Sequence, residues 1–219
     1  GRETRKSFNQ GYCYPCFKSL AQCDICIVSP EKCHYDQGSC REPEWGRQNC
    51  MQDHYIYLSN TSGVKVGITR HTQIPTRWID QGAVQALAVL KVSSRYYSGL
   101  VETAFKGYLN DKTNWRSMLK NDYSEQDLLP VFHAIWPKVK LQLDEQVLRD
   151  VSVVAEAEGP TDIHYPALSY PDKISSFNFD KDPVIEDTLI AIKGQYLIFQ
   201  RAVINVRKYA GYDVSLEIL

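Results

Sequence analysis

The sequence predicts an α+β chain in three parts: a cysteine-rich N-terminal segment, a three-stranded antiparallel sheet with flanking helices, and a small C-terminal antiparallel β domain. Three observations lead there. All 7 cysteines fall before residue 51. Two alternating runs, Tyr55 to Leu58 and Val64 to Thr69, flank the turn formers Asn60-Thr61-Ser62-Gly63. Short apolar runs separated by glycine turns close the chain. The corresponding boundaries are 1–53, 54–120 and 121–219.

In the first part, Cys13/Cys16 and Cys23/Cys26 are CxxC pairs, followed by Cys33, Cys40 and Cys50. Thiolates at this spacing clamp a single ion, and tetrahedral zinc is the usual occupant. An odd count and the lack of an export signal argue against disulfides. No other sign of redox chemistry supports an iron–sulfur cluster. Seven sulfurs fall one short of two four-ligand sites, so the reading is one or two structural zinc ions with an eighth ligand. His54, four residues after Cys50, is the first candidate, and His34 is its rival. So few apolar residues over fifty positions need metal to fold. Arg2, Arg5, Lys6 and Lys18 interleave with Phe8, Tyr12, Tyr14 and Phe17. Such rings either stack on unpaired bases or pack over the knuckle.

The central part begins with the hairpin. Strand alternation puts Ile56, Leu58, Val66 and Ile68 on one face and Tyr55, Tyr57, Lys65, Gly67 and Thr69 on the other. The second face suits a polar ligand better than a core. Pro75 and Gly82 then bracket a short helix carrying Arg77. Residues 83–92 read as a buried third strand, and 95–110 as a helix whose apolar side comes from Leu100, Val101, Ala104, Phe105, Tyr108 and Leu109. Glu102 borders that apolar side, where a carboxylate needs a cation or a metal. Asn114 suits the N-cap of a helix over 115–119.

From Asn121 onward, helical periodicity over 124–136 and 139–149 is interrupted by Pro130 and Pro137. Strands are expected at 188–192, 196–199, 202–207 and 212–218, with turns at Lys193-Gly194-Gln195 and Ala210-Gly211.

The net charge of -1 conceals an uneven distribution. Residues 64–120 hold 9 basic and 3 acidic side chains, whereas 121–219 hold 9 and 16. A basic middle fits a phosphate-backbone partner, with solvated surface charge as the plain alternative. The acidic last part fits a protein partner. No apolar run reaches the ~20 residues of a spanning helix and no signal peptide opens the chain, so a soluble, cytoplasmic protein is expected, extending upstream of Gly1.

The order Tyr55-Ile56-Tyr57, Lys65-Val66-Gly67, then Arg77, Glu102 and Asn114, over roughly 53–119, resembles the GIY-YIG endonuclease superfamily, in its lysine-bearing branch. Tyr55 stands where the first motif has glycine, and Lys65 where the second has tyrosine. The whole chain also resembles an uncharacterised bacterial family with a zinc knuckle, whose members carry a further CxxC upstream. On that likeness, Cys13 and Cys16 pair with the upstream motif, Cys23, Cys26, Cys33 and Cys40 close a second site, and Cys50 and His54 are left over. The superfamily resemblance implies a metal-dependent phosphodiesterase acting on DNA or RNA. Glu102 would bind Mg²⁺ or Mn²⁺, Arg77 would grip the phosphate, and Tyr57 would position water. Lys65 would offset phosphate charge, with Asn114 as the downstream asparagine. Gly67, Thr69, Arg70 and Arg77 would meet the nucleic acid. A non-catalytic nucleic-acid-binding protein and a protein-interaction scaffold remain as alternatives.

Overall fold

A computed structural model describes Phe8 and residues 11–218. Arg2, Arg5 and Lys6, which the base-stacking expectation includes, lie outside the described residues. The cysteine segment carries α1 (Tyr14–Ser19), three 3-10 turns and α2 (Pro43–Asn49). Phe8 packs against Tyr14 and Phe17, with ring centroids 5.1 and 5.0 Å apart, so these rings cover one another.

The hairpin forms as the alternation predicts: β1 (His54–Asn60) pairs antiparallel with β2 (Val64–Arg70), placing Tyr57 opposite Gly67. After α3 (Thr76–Asp80), β3 (Gln85–Val92) pairs with the other edge of β1. Pro75 occupies the N-cap of α3 rather than its first turn, and Gly82 ends the segment at φ +72°. The helix expected over 95–110 stops earlier, as α4 (Arg95–Phe105). It begins at Ser94, whose hydroxyl accepts from the Tyr97 amide at 3.3 Å. α5 (Trp115–Leu119) follows.

Two expectations are corrected beyond this point. The sheet is five-stranded, not three-stranded. After α6 (Leu128–Lys140) and α7 (Glu145–Asp150), β4 (Ser152–Val153) pairs with β3, and after α8 (Ala155–Glu158), β5 (Thr161–Asp162) does the same. Nor do the prolines split the helix. Pro130 lies in the first turn of α6, where an amide has no intrahelical partner, and Pro137 is accommodated on an exposed face near the C-terminal end. Leu128, Phe132, Trp136 and Val139 of α6 therefore join Ile56, Leu58, Val66, Val101 and Phe105 in one core.

The C-terminal sheet has three strands, β6 (Leu189–Lys193), β7 (Tyr196–Phe199) and β8 (Val203–Asn205), in sequential antiparallel order. A 3-10 turn at Val206–Tyr209 ends β8 early. The strand expected over 212–218 is absent, and Val214, Leu216 and Ile218 stand exposed, without a neighbouring strand to bury them. Ala191, Ile198 and Val203 pack against Met118 and Leu119 of α5.

The β6–β7 turn reaches further. Lys193 is fully buried, its Nζ donating to Asn121 Oδ1 at 2.6 Å amid the rings of Tyr123, Tyr165 and Tyr170. Tyr165 Oη lies 3.0 Å from the carbonyls of both Ile79 and Ala83, on either side of Gly82. Gly194, at φ +60°, sits so close to α3 that a Cβ there would stand 3.0 Å from the Asp80 carbonyl.

The second face of the hairpin is covered over most of its area: Tyr55, Tyr57, Trp78, Ala83, Ala86 and Ala88 pack together. Tyr57 is fully buried and its phenol rests over Gly67. A Cβ at Gly67 would stand 2.5 Å from Tyr57 Oη. Because that ring is enclosed, Gly67→Ala is expected to destabilise the fold by about 1–3 kcal/mol, read as a lower urea midpoint.

Candidate functional site

The thiols sort into two groups. Asp24 is extended (φ −70°, ψ 159°) between two separate 3-10 turns, Ala21–Cys23 and Ile25–Ile27. The extended residue turns the thiols of Cys23 and Cys26 toward different neighbours. Cys13 hydrogen-bonds with Cys16, and the Cys16 thiol also senses Cys23. Cys26, Cys33, Cys40 and Cys50 line one small cavity with Asp24 and His34. Of the set Cys23, Cys26, Cys33 and Cys40, the last three line this cavity, and Cys50 lines it where Cys23 does not.

Burial, reinforced by Cys33, Asp24 and Cys50, pushes the Cys26 thiol up to about 11. Cys33 and Cys50 thus raise the cost of ionising Cys26, a cost that a bound cation would offset. Gly46 makes the closure possible, since a Cβ there would stand 2.9 Å from the Tyr35 ring and 3.1 Å from Cys40 Sγ.

The ligand atoms of Asp24, Cys26 and His34 lie within 4.8 Å of one another, a group able to hold a metal ion. Two of the three are already engaged. The Asp24 carboxylate accepts from Arg41 Nε at 2.7 Å and from the Ile25 amide at 2.6 Å, and lies 3.4 Å from His34 Nε2. His34 Nδ1 sits 2.9 Å from Ser39 Oγ. Asp24, Cys26 and His34 are thus the residues whose donor atoms converge, and Cys33, Cys40 and Cys50 line the same cavity around them. His54 lies outside this cavity. It is fully buried in β1, with Nδ1 2.7 Å from the Gln52 carbonyl and Nε2 unpartnered, and burial holds its pKa down at about 4.

A second cluster forms where β2 meets α3 and α4. Tyr57 donates its hydroxyl proton to Gln81 Oε1 at 3.0 Å. Burial pushes the phenol up to about 12, with the Arg77 guanidinium opposing and Glu102 reinforcing that rise. Lys65 is 4% exposed, and burial followed by the Arg77 charge pulls it down to about 8, against Asp111 and Glu102. Burial raises the Glu102 carboxyl while Lys106 holds it back through an ion pair at 3.2 Å. Lys106 also reaches Asp111 at 3.4 Å. Arg77 and Glu102 are thus each within electrostatic reach of both Tyr57 and Lys65.

The remaining predicted residues have structural partners of their own. Asn114 caps α5, its Oδ1 accepting from the Arg116 and Ser117 amides at 3.2 and 3.3 Å. Thr69 is buried and its hydroxyl donates to the Arg70 carbonyl at 3.3 Å. Arg70 donates to Asn49 Oδ1 and so ties β2 to the cysteine segment. Gly67 lies beneath Tyr57.

A family model described as a protein of unknown function (DUF2797) matches residues 1–214. The chain belongs to DUF2797. No curated protein and no solved structure matches it.

In this DUF2797 chain, sequence reasoning missed Gln81, Lys106 and Asp111. The i,i+4 spacing of Glu102 and Lys106 is a readable signal for one of them. Gln81 carries none, because only the path of α3 brings it to Tyr57. The depressed Lys65 pKa gives a pH test. The native state binds fewer protons than the unfolded chain between pH about 8 and the ordinary lysine value of 10.5, so this residue's contribution to stability rises with pH across that window. Lys65→Met is expected to be more stable than wild type at pH 7, with the difference shrinking toward pH 10.5 in urea titrations.

Proposed function

We propose that this DUF2797 protein is a zinc-stapled, divalent-metal-dependent phosphodiesterase acting on nucleic acid. What supports the reading is that Arg77 and Glu102 both act electrostatically on Tyr57 and on Lys65, which stand on the paired strands β1 and β2. Lys65 and Arg77 bring two positive charges together, a combination that an anion of phosphate size would relieve.

Glu102 and Asp111 are hard oxygen donors, and the Lys106 ammonium lies between them. A cation therefore already suits that position, and Mg²⁺ or Mn²⁺ fits the donor chemistry. When bound there, such an ion would polarise a phosphoryl oxygen. The chain's own groups supply the rest: Arg77 orients the phosphate, Lys65 offsets its charge, and Tyr57, held by Gln81, positions water. This assignment keeps the GIY-YIG likeness as a reading of these residues. In the cysteine segment, four sulfurs suit tetrahedral zinc.

A binding-only reading is favoured by one observation. Lys106 already neutralises Glu102, and an ammonium that stays in place would keep the metal out. Incubating labelled single-stranded, duplex and structured DNA and RNA with Mg²⁺ or Mn²⁺ separates the two. Metal-dependent cleavage that falls at least about a hundredfold in Arg77→Ala supports the enzyme. Salt-sensitive binding without cleavage of any substrate overturns it in favour of binding alone.

A further inference from the structure

On the same face of the sheet as Tyr57 lies a cavity of about 300 Å³, within the size range of small-molecule sites. Tyr55, His71, Ile74, Trp78 and Glu158 line it. Tyr55, His71 and Trp78 supply rings, and the Tyr55 and His71 centroids lie 5.7 Å apart. Trp78 is 5% exposed, and its Nε1 is a buried donor without a partner in the protein. Ile74 adds an apolar wall. Glu158, exposed at the end of α8, brings a carboxylate.

Flat walls and one anionic acceptor select a planar heterocycle bearing its own N–H donors. A purely apolar ligand would leave the carboxylate unused, and an inorganic anion would face it. The position narrows the choice. Tyr55 precedes Tyr57 by two residues on one strand face, ~7 Å along the strand, and Trp78 follows Arg77 on α3. The Trp78 and Tyr57 rings are 6.1 Å apart. The cavity therefore opens within one nucleotide's reach of the Tyr57–Arg77 cluster.

We infer that this cavity binds the base of one unpaired nucleotide, stacked on its rings with Glu158 accepting from the base's amino or imino N–H. This rests on the phosphate reading of the neighbouring cluster and deepens it: the substrate is a strand with an unpaired base, because a base inside a duplex cannot leave its stack to enter a cavity without cost. Guanine matches best, since its adjacent N1–H and N2–H donors pair with one carboxylate.

The test uses the full chain, with calorimetric titration of guanosine, GMP, UMP and ribose 5-phosphate, together with His71→Ala, Glu158→Gln and Arg77→Ala. The two cavity substitutions change exposed side chains, so the fold should survive them. The expected result is GMP binding at least about tenfold tighter than UMP or ribose 5-phosphate. Glu158→Gln should abolish the preference for GMP over UMP, and His71→Ala should weaken both nucleotides. Guanosine alone should bind measurably, with or without Arg77. GMP, UMP and ribose 5-phosphate binding equally, all lost in Arg77→Ala, would overturn the base pocket and leave the phosphate cluster standing. Guanosine binding as tightly as GMP, unaffected by Arg77→Ala, would keep the pocket and remove the cluster reading on which its placement depends. No binding of any of the four overturns the inference.

Discussion

Glu102→Gln is expected to remove metal-dependent cleavage by two to three orders of magnitude or more while leaving the protein as stable as wild type or more so. The substitution keeps the shape and deletes the charge of the oxygen donor assigned to the metal. Stability should not suffer, because the half-buried carboxyl is costly: burial raises its pKa above the ordinary 4.5, and only the Lys106 pair offsets that. The native state thus holds its proton to higher pH than the unfolded chain does. Stability contributed at this position is greatest when the carboxyl is protonated and declines as pH rises from about 4.5 through the raised value. In Glu102→Gln that decline should vanish. Cleavage assays and thermal melts across pH 4–8 read both effects. Full activity in Glu102→Gln would sink the metal assignment, and a collapsed melt would show that the Lys106–Glu102 pair serves the fold.

Metal removal should have the larger effect on folding. Structural zinc in finger peptides is worth about 10–16 kcal/mol in apparent terms at pH 7, and this site is wired into the core. The Arg95 amide donates to the Cys50 carbonyl at 2.8 Å, and its guanidinium donates to the Ile27 carbonyl at 2.6 Å. Gly99 of α4 packs directly against Pro30 and Glu31, with no room for a side chain. Loosening the four-sulfur cavity therefore releases the helix that carries Glu102. Chelation, or Cys26→Ser, is expected to lower the melting temperature by about 10 °C or more, since in a chain of this size each kcal/mol shifts it by ~2–4 °C. Cys13→Ser, outside that cavity, should do less. Elemental analysis of each variant reports the lost ion, and Cys26→Ser retaining its full metal content would refute the four-sulfur assignment.

The parts legible in the sequence were those set by short-range patterning. Alternation fixed which hairpin residues enter the core, and Gly63, Gly82 and Gly194 marked turns that the backbone takes at positive φ. What escaped was long-range. The two-residue strands β4 and β5 have no pattern of their own and exist because β3 offers them a free edge. Cys23 and Cys26 look like one clamp by spacing, yet the extended Asp24 divides them. The polar-looking face of the hairpin proved enclosed because Trp78 folds over it, which alternation cannot foresee. Lys65 stands out by alternation and by the family likeness, but its burial beside Arg77 and Glu102 depends on how the helices pack against β2.

The lysine enclosed by three tyrosines bears on how the protein can be dissected. Its anchorage, with Tyr165 bridging the Ile79 and Ala83 carbonyls and Gly194 against Asp80, means that residues beyond 160 brace the helix bearing Arg77. An excised 54–120 fragment would lose that buttress as well as the cysteine segment. Activity measured on such a fragment would therefore understate what the intact polypeptide can do.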